Sequence, residues 1–228
     1  RARTPRHVMG GVCPTAPWPL TFGVAAWSMG PQLVLGTALS GLLARRRFAG
    51  RGLLDALVTL PLVFPPIVLG YGLLLLLGRQ GWLAQWLPPP LRPEIVFTQT
   101  GLVVAAFVAG LPLMVKPAQA AFAGVPPRVR EAAALLGHRP WSVFWRIDVP
   151  LARRGVAVGL VLAGGRGLGE VGLSLMLGGN IAGRTETLSL VIYNRVMDGN
   201  LACANALSLL LAGLAALAFF VLRRWGAL

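Results

Sequence analysis

Arg166 and Glu170 stand four residues apart in a stretch, 155–177, that holds no other charged residue. On a helix that spacing puts them on one face, where opposite charges pair. At 1.5 Å per residue from Gly155, Arg166 lies roughly 16 Å along such a helix, near the middle of a bilayer core about 30 Å thick. Charge at that depth is costly and normally faces a bundle interior or a wet path. Two readings stay open: a self-neutralised structural pair, or part of a route for an ion. Gly178-x4-Gly183-Arg184-Thr185 is one residue from a phosphate-binding loop, with Arg184 where that loop has Lys. Such a loop needs a strand before it, whereas an apolar run precedes this one. Gly167-Leu168-Gly169-Glu170-Val171-Gly172 fits the dinucleotide fingerprint, but glycines this dense in an apolar helix let helices approach. Gly155/Gly159 and Gly165/Gly169 have the small-x3-small spacing of such contacts. No catalytic grouping is found. His7 and His138 are too scattered for a metal site, Cys13 and Cys203 imply no disulfide framework, and no cofactor is expected.

A second concentration of polar residues lies in 124–154. Glu131 to Leu136 are good helix formers that Gly137 ends. Trp141 and Trp145, four apart, share the face of a second short helix. Arg128, Arg130, Arg139 and Arg146 flank these, and Pro150 is expected to stop the segment before the next apolar run. A short helix with an aromatic face, held between two apolar spans, fits either another protein's groove or a headgroup layer.

These groups must be positioned by membrane helices. The chain of 228 residues is 56% hydrophobic and 12% charged, unlike a soluble domain. We read spans at about 18–44, 53–78, 95–122, 155–177 and 201–222, each long enough to cross a bilayer. The fold class is all-α, a polytopic transmembrane bundle of about five or six spans, preceded by a disordered tail at 1–17. Pro31 should kink the first span, and Pro61 with Pro65 and Pro66 should bend or break the second. Freed carbonyls at membrane depth need protein or a wet cavity beside them, so Pro65 and Pro66 are candidates for a place near a pathway. Trp82 and Trp86 are placed as interfacial anchors, and 187–197 as a short helix. The net charge of +14 is not a nucleic-acid signature: thirteen of the 21 basic residues fall in 45–51, 116–154 and the C-terminal tail. That asymmetry marks cytoplasmic segments, putting the N-terminus outside and the C-terminus inside, and it favours contact with anionic lipid.

The pattern Glu131-Ala132-Ala133-x3-Gly137-x9-Ile147-x-Val149-Pro150 resembles the EAA loop of ABC importer membrane subunits, with Val149 where that pattern has Leu. The chain from about 36 to 222 is similar to the molybdate permease branch of that family. Leu43-Ala44-Arg45-Arg46-Arg47-Phe48, Leu60-Pro61-Leu62-Val63-Phe64-Pro65-Pro66, Gly169-Glu170-Val171-Gly172 and Gly179-Asn180-Ile181-Ala182-Gly183-Arg184-Thr185 carry the likeness. Ala182 stands where the family usually has Pro. The resemblance implies a bundle of the ABC importer type in a bacterial inner membrane, with 124–154 as the coupling loop. It implies a homodimer, two cytoplasmic ATP-binding subunits that hydrolyse the ATP, and a periplasmic oxyanion-binding protein. Glu131, Ala132, Ala133, Gly137, Trp141, Trp145, Ile147 and Pro150 would meet the ATPase. Arg166, Glu170, Asn180, Arg184, Thr185, Pro65 and Pro66 are the pathway candidates. A sulfate or thiosulfate permease is the nearest alternative; a channel or secondary carrier, or a membrane enzyme, lies further off.

Overall fold

The computed structural model describes residues 17–45, 48–86, 88 and 94–224. The expected tail lies outside them, apart from Pro17. Every regular element among the described residues is helical. The first span is a continuous helical run: α1 (Trp18–Pro31), a π turn (Gln32–Gly36) and α2 (Thr37–Arg45). Pro31 therefore widens the helix instead of breaking it. The extra residue of the π turn falls where Gln32, fully buried, donates its Nε2 to the carbonyls of Ala106 (3.2 Å) and Phe107 (3.3 Å). A helix that inserts one residue to aim a side chain is a recurrent use of such turns.

The second span breaks where its prolines are consecutive. Pro61 stays inside α3 (Arg51–Val63), whereas Phe64 and Pro65 take ψ of 142° and 131° before α4 (Pro66–Leu77) begins. Both residues precede a proline, whose ring disfavours the helical region for its predecessor. A turn and α5 (Trp82–Trp86) follow, with both tryptophans exposed.

α6 (Gln99–Ala123) is the centre of the bundle, touched by α1, α2, α3 and the later helices Arg153–Leu168 and Gly172–Gly178. Its buried face runs through Leu102, Ala105, Ala106, Ala109, Gly110, Met114, Ala118 and Phe122, the three-and-four spacing of one stripe. α7 (Pro127–Leu135), α8 (Pro140–Val143), a second π turn (Phe144–Asp148) and α9 (Val149–Leu151) form the polar loop. α10 (Arg153–Leu168) then returns along α6. Gly159 permits that approach, since a Cβ there would lie 2.5 Å from the Met114 carbonyl oxygen, and one at Gly155 would lie 2.9 Å from that of Pro117. The second small-residue pair is corrected. Gly165 and Gly169 meet no neighbouring helix, and the close contacts belong to Gly164 on Met29 and Gly167 on Ala106.

The fourth span is also not straight. α10 and α11 (Gly172–Gly178) meet at 64°, since α10 ends at Leu168 and 169–171 lie outside both helices. α12 (Leu188–Met197) matches the expected short helix, and α13 (Leu201–Arg224) packs on it through Leu188, Val191, Cys203 and Leu207. Cys203 is disulfide-bonded, which corrects the reading of the cysteines. Among the described residues three helices are long and apolar enough to cross a membrane: Pro66–Trp86, Gln99–Ala123 and Leu201–Val221. The bent pair α10–α11 makes a fourth. The remaining expected span is the α1–π–α2 run, which the π turn divides into shorter pieces.

Candidate functional site: an exposed loop and two broken helices

The polar loop owes its shape to local sequence. Pro127 opens α7, where a missing N–H costs nothing. At its end Gly137 takes φ +79°, and two bonds close the turn: His138 N–H to Ala133 (3.1 Å) and Gly137 N–H to Ala134 (3.0 Å). This is the Schellman arrangement that a left-handed glycine permits. The turn leaves an apolar tip uncovered, with Leu135 89%, Leu136 79% and Trp141 69% exposed. Trp141 and Trp145 share a face as expected, edge to face at 5.7 Å. Phe144 between them turns inward and stacks on Phe122 at 5.5 Å, joining the cluster of Met114, Ala118, Ala152 and Val156. Glu131, Ala132, Gly137 and Pro150 are exposed, Ile147 is half-buried and Ala133 is buried. Pro150 does not stop the segment. It sits inside α9, whose turn gives way only at Ala152, because proline fits an early helical position without losing a bond.

The sequence pattern leaves Asp148 as an unspecified position between Ile147 and Val149. It is fully buried, ion-paired with Arg45 from the end of α2 and with Arg130 from α7, whose Nε lies 3.0 Å away. Arg130 also donates to the Phe122 carbonyl at 2.9 Å, and Arg45 lies 5.0 Å over the Phe144 ring. Burial pushes the Arg130 guanidinium below its ordinary pKa. The signal was present: Asp148 is the lone carboxylate between Glu131 and Glu170, in the most basic part of the chain.

Arg166 and Glu170 form the ion pair that their spacing suggests. Glu170 is buried, and its Oε1 accepts the Leu173 N–H at 2.8 Å, so the carboxylate also holds the start of α11. Its carbonyl accepts the Ser189 hydroxyl at 3.1 Å. The break in the second span meets this one, since a Cβ at Gly172 would lie 2.7 Å from the Cβ of Pro66. The structure thus brings Pro65 and Pro66 beside the Arg166–Glu170 bend. It separates them from Asn180, Arg184 and Thr185, which follow the far end of α11. There Thr185 is buried and donates to the Gly178 carbonyl at 2.7 Å, Asn180 (φ +51°) pairs with Asn194 at 2.8 Å, and Arg184 is exposed.

A family model described as the binding-protein-dependent transport system inner membrane component matches residues 33–226. The chain belongs to that family. It is 34% identical over 206 residues to the molybdenum transport system permease protein ModB of Haemophilus influenzae, covering 90% of each chain. It is 39% identical over 165 residues to the protein of the same name from Escherichia coli K12, covering 72% of each. The sulfate transport system permease protein CysT of Escherichia coli K12 is 33% identical over 175 residues, 77% of this chain and 63% of that one.

The exposed loop and the paired helix breaks lie apart in the chain. The loop is an exposed apolar surface with a basic rim, and patches of that kind mark contacts. The paired breaks put polar backbone and one ion pair inside the apolar bundle, where such groups are kept for function or packing. Among the described residues no group of three His, Cys, Asp or Glu is placed to hold a metal ion.

Proposed function

We propose that this chain is the membrane-spanning permease subunit of an ATP-driven importer that carries molybdate, or a related tetrahedral oxyanion, into the cytoplasm. The observation that supports it most is the loop 124–154: an apolar tip projected by a glycine-closed helix and anchored at its base to the bundle. A chain that only crossed the membrane would have no use for so apolar a surface in water. Likeness to molybdenum permeases over most of the chain supports the substrate.

In this reading two copies face each other around the path. Two ATP-binding subunits dock on Glu131, Ala132, Ala133, Gly137, Trp141, Trp145, Ile147 and Pro150, and a periplasmic protein delivers the anion. A dianion crossing a low-dielectric layer needs positive charge and donors along its route. Arg166 supplies the charge, Glu170 holds it in place, and Pro65 and Pro66 keep the neighbouring backbone open. Asn180, Arg184 and Thr185 form the outer mouth. Vesicles holding the permease, the ATPase and the binding protein should take up molybdate only with ATP. A tenfold excess of sulfate should leave most of that uptake intact, which a preference of about a hundredfold, about 2.7 kcal/mol, provides. Uptake abolished by sulfate would favour the sulfate permease instead, as the relation to the CysT protein allows. Uptake without ATP would favour a channel or carrier.

The basic loops put the N-terminus outside and the C-terminus in the cytoplasm. In a variant without native cysteines, Arg184→Cys should react with an impermeant thiol reagent on intact cells, and Arg128→Cys only after lysis. Labelling of position 128 on intact cells would overturn this orientation.

A further inference from the structure

The polar loop is joined covalently to α6 and α10 alone, yet a buried ion bridge ties it to the first helix as well. We propose that Asp148 is the positioning residue that couples the docking loop to the inner end of α2, so that a displacement of the loop moves the first span. This inference rests on the docking role proposed for the loop.

The bridge collects groups from separate elements onto one carboxylate. Arg45 is the last residue of α2, Arg130 lies in α7, and Asp148 ends the π turn after α8. Arg130 extends the connection to α6 through the Phe122 carbonyl. Asp148 has no solvent exposure, and the arginine side chains facing it are largely covered. Removing such ions from water is expensive, and replacing a buried pair by apolar side chains is often neutral or stabilising. Stability alone therefore gives little reason for this cluster. What a buried, charge-assisted bridge does supply is a fixed distance and direction.

The contact between α2 and the loop would otherwise be thin. A cleft of about 480 Å³ runs between them, lined by Ala38, Gly41, Arg45, Arg139, Trp141 and Phe144 among others. Beside it the Phe144 ring reaches α2, seated on Gly41 and under the Arg45 guanidinium. Arg45 therefore meets both the aromatic ring and the carboxylate of the loop. A push on Trp141 or Leu136 reaches α10 through the backbone but reaches α2 through Phe144 and Asp148. Among the described residues the groups ion-paired with Asp148 are these two arginines, so its position is set by side chains of other elements.

The test uses the complete complex in vesicles, with molybdate as the probe and two readouts: retention of the ATPase subunits, and molybdate taken up per ATP hydrolysed. Couplings between sites typically amount to 5–150-fold, and Asp148→Asn should lower uptake per ATP about tenfold while the ATPase stays bound. Asp148→Glu, which keeps the charge, should recover part of the loss. An unchanged ratio in an assembled Asp148→Asn complex would overturn the proposal and leave the docking role standing. Loss of the ATPase from Asp148→Asn would also overturn it, since the residue would then shape the docking surface. A wild-type permease that never retains the ATPase would remove the docking role itself. If Asp148→Asn does not accumulate in the membrane, the same ratio is read from Arg45→Gln, which cuts the link to α2 and keeps Asp148 paired with Arg130. That variant should show the same loss, and a normal ratio would overturn the proposal.

Discussion

Gly137→Leu should leave the permease folded in the membrane and abolish substrate-stimulated ATP hydrolysis by the assembled complex. At φ +79° an L side chain is strained, by roughly 1–2 kcal/mol. No atom lies within 4 Å of where a Cβ would stand, so within this chain the whole effect is on the backbone. Relief of that strain opens the two bonds that close α7. Leu135, Leu136 and Trp141 then lose their common orientation, while the bundle keeps its own anchor to the loop, Phe144 on Phe122. Gly137→Asn separates two causes, because Asn tolerates the left-handed region. Recovery with Asn means that the turn matters; failure with Asn means that the partner's surface approaches too closely for any side chain. Normal stimulated hydrolysis by Gly137→Leu would count against the docking role.

That turn was legible because its chemistry is local. A helix former run ended by glycine, and two tryptophans one helical turn apart, need no tertiary information. The break at Phe64–Pro65 was legible for the same reason, two residues each preceding a proline. Pro31 and Pro150 show the limit. Each is compatible with a helix that continues, and which outcome occurs depends on what the neighbouring turn must reach: Gln32 onto α6, Phe144 into the core. The glycine pairs were half right, since spacing defines a face but not which face meets another helix. A rotation of one position moved the contact from Gly165 to Gly164. Asp148 stood out as a lone carboxylate, but its partners were hidden by distance in sequence. Its value lies in Arg45 and Arg130, and nothing local joins a carboxylate in the loop to the end of the first helix. The 64° bend at Glu170 was hidden too, because Arg166 and Glu170 satisfy the same spacing rule in a straight helix.

Replacing Arg166 and Glu170 together by Gln should give a permease that assembles but does not transport. The two single changes are unequal. The Glu170 side chain is 1% exposed and that of Arg166 33%, so Arg166→Gln strands a buried carboxylate, at a cost of roughly 3–5 kcal/mol, and should deplete the protein from the membrane. Glu170→Gln leaves a cation with some access to solvent, and its amide oxygen can still accept the Leu173 N–H, so that variant should accumulate more fully. The double variant keeps the start of α11 capped and leaves no unpaired charge, which removes the folding defect as an explanation. If Arg166 serves only to neutralise Glu170, uptake should return in the double variant. If the anion meets Arg166 beside the Pro65–Pro66 break, uptake stays absent although the subunit and its partners copurify in normal amount. Since Glu170 already satisfies Arg166, a passing dianion must compete with the carboxylate, and Glu170→Gln should strengthen retention of the anion while slowing its release. A double variant with full uptake would end the pathway role of Arg166.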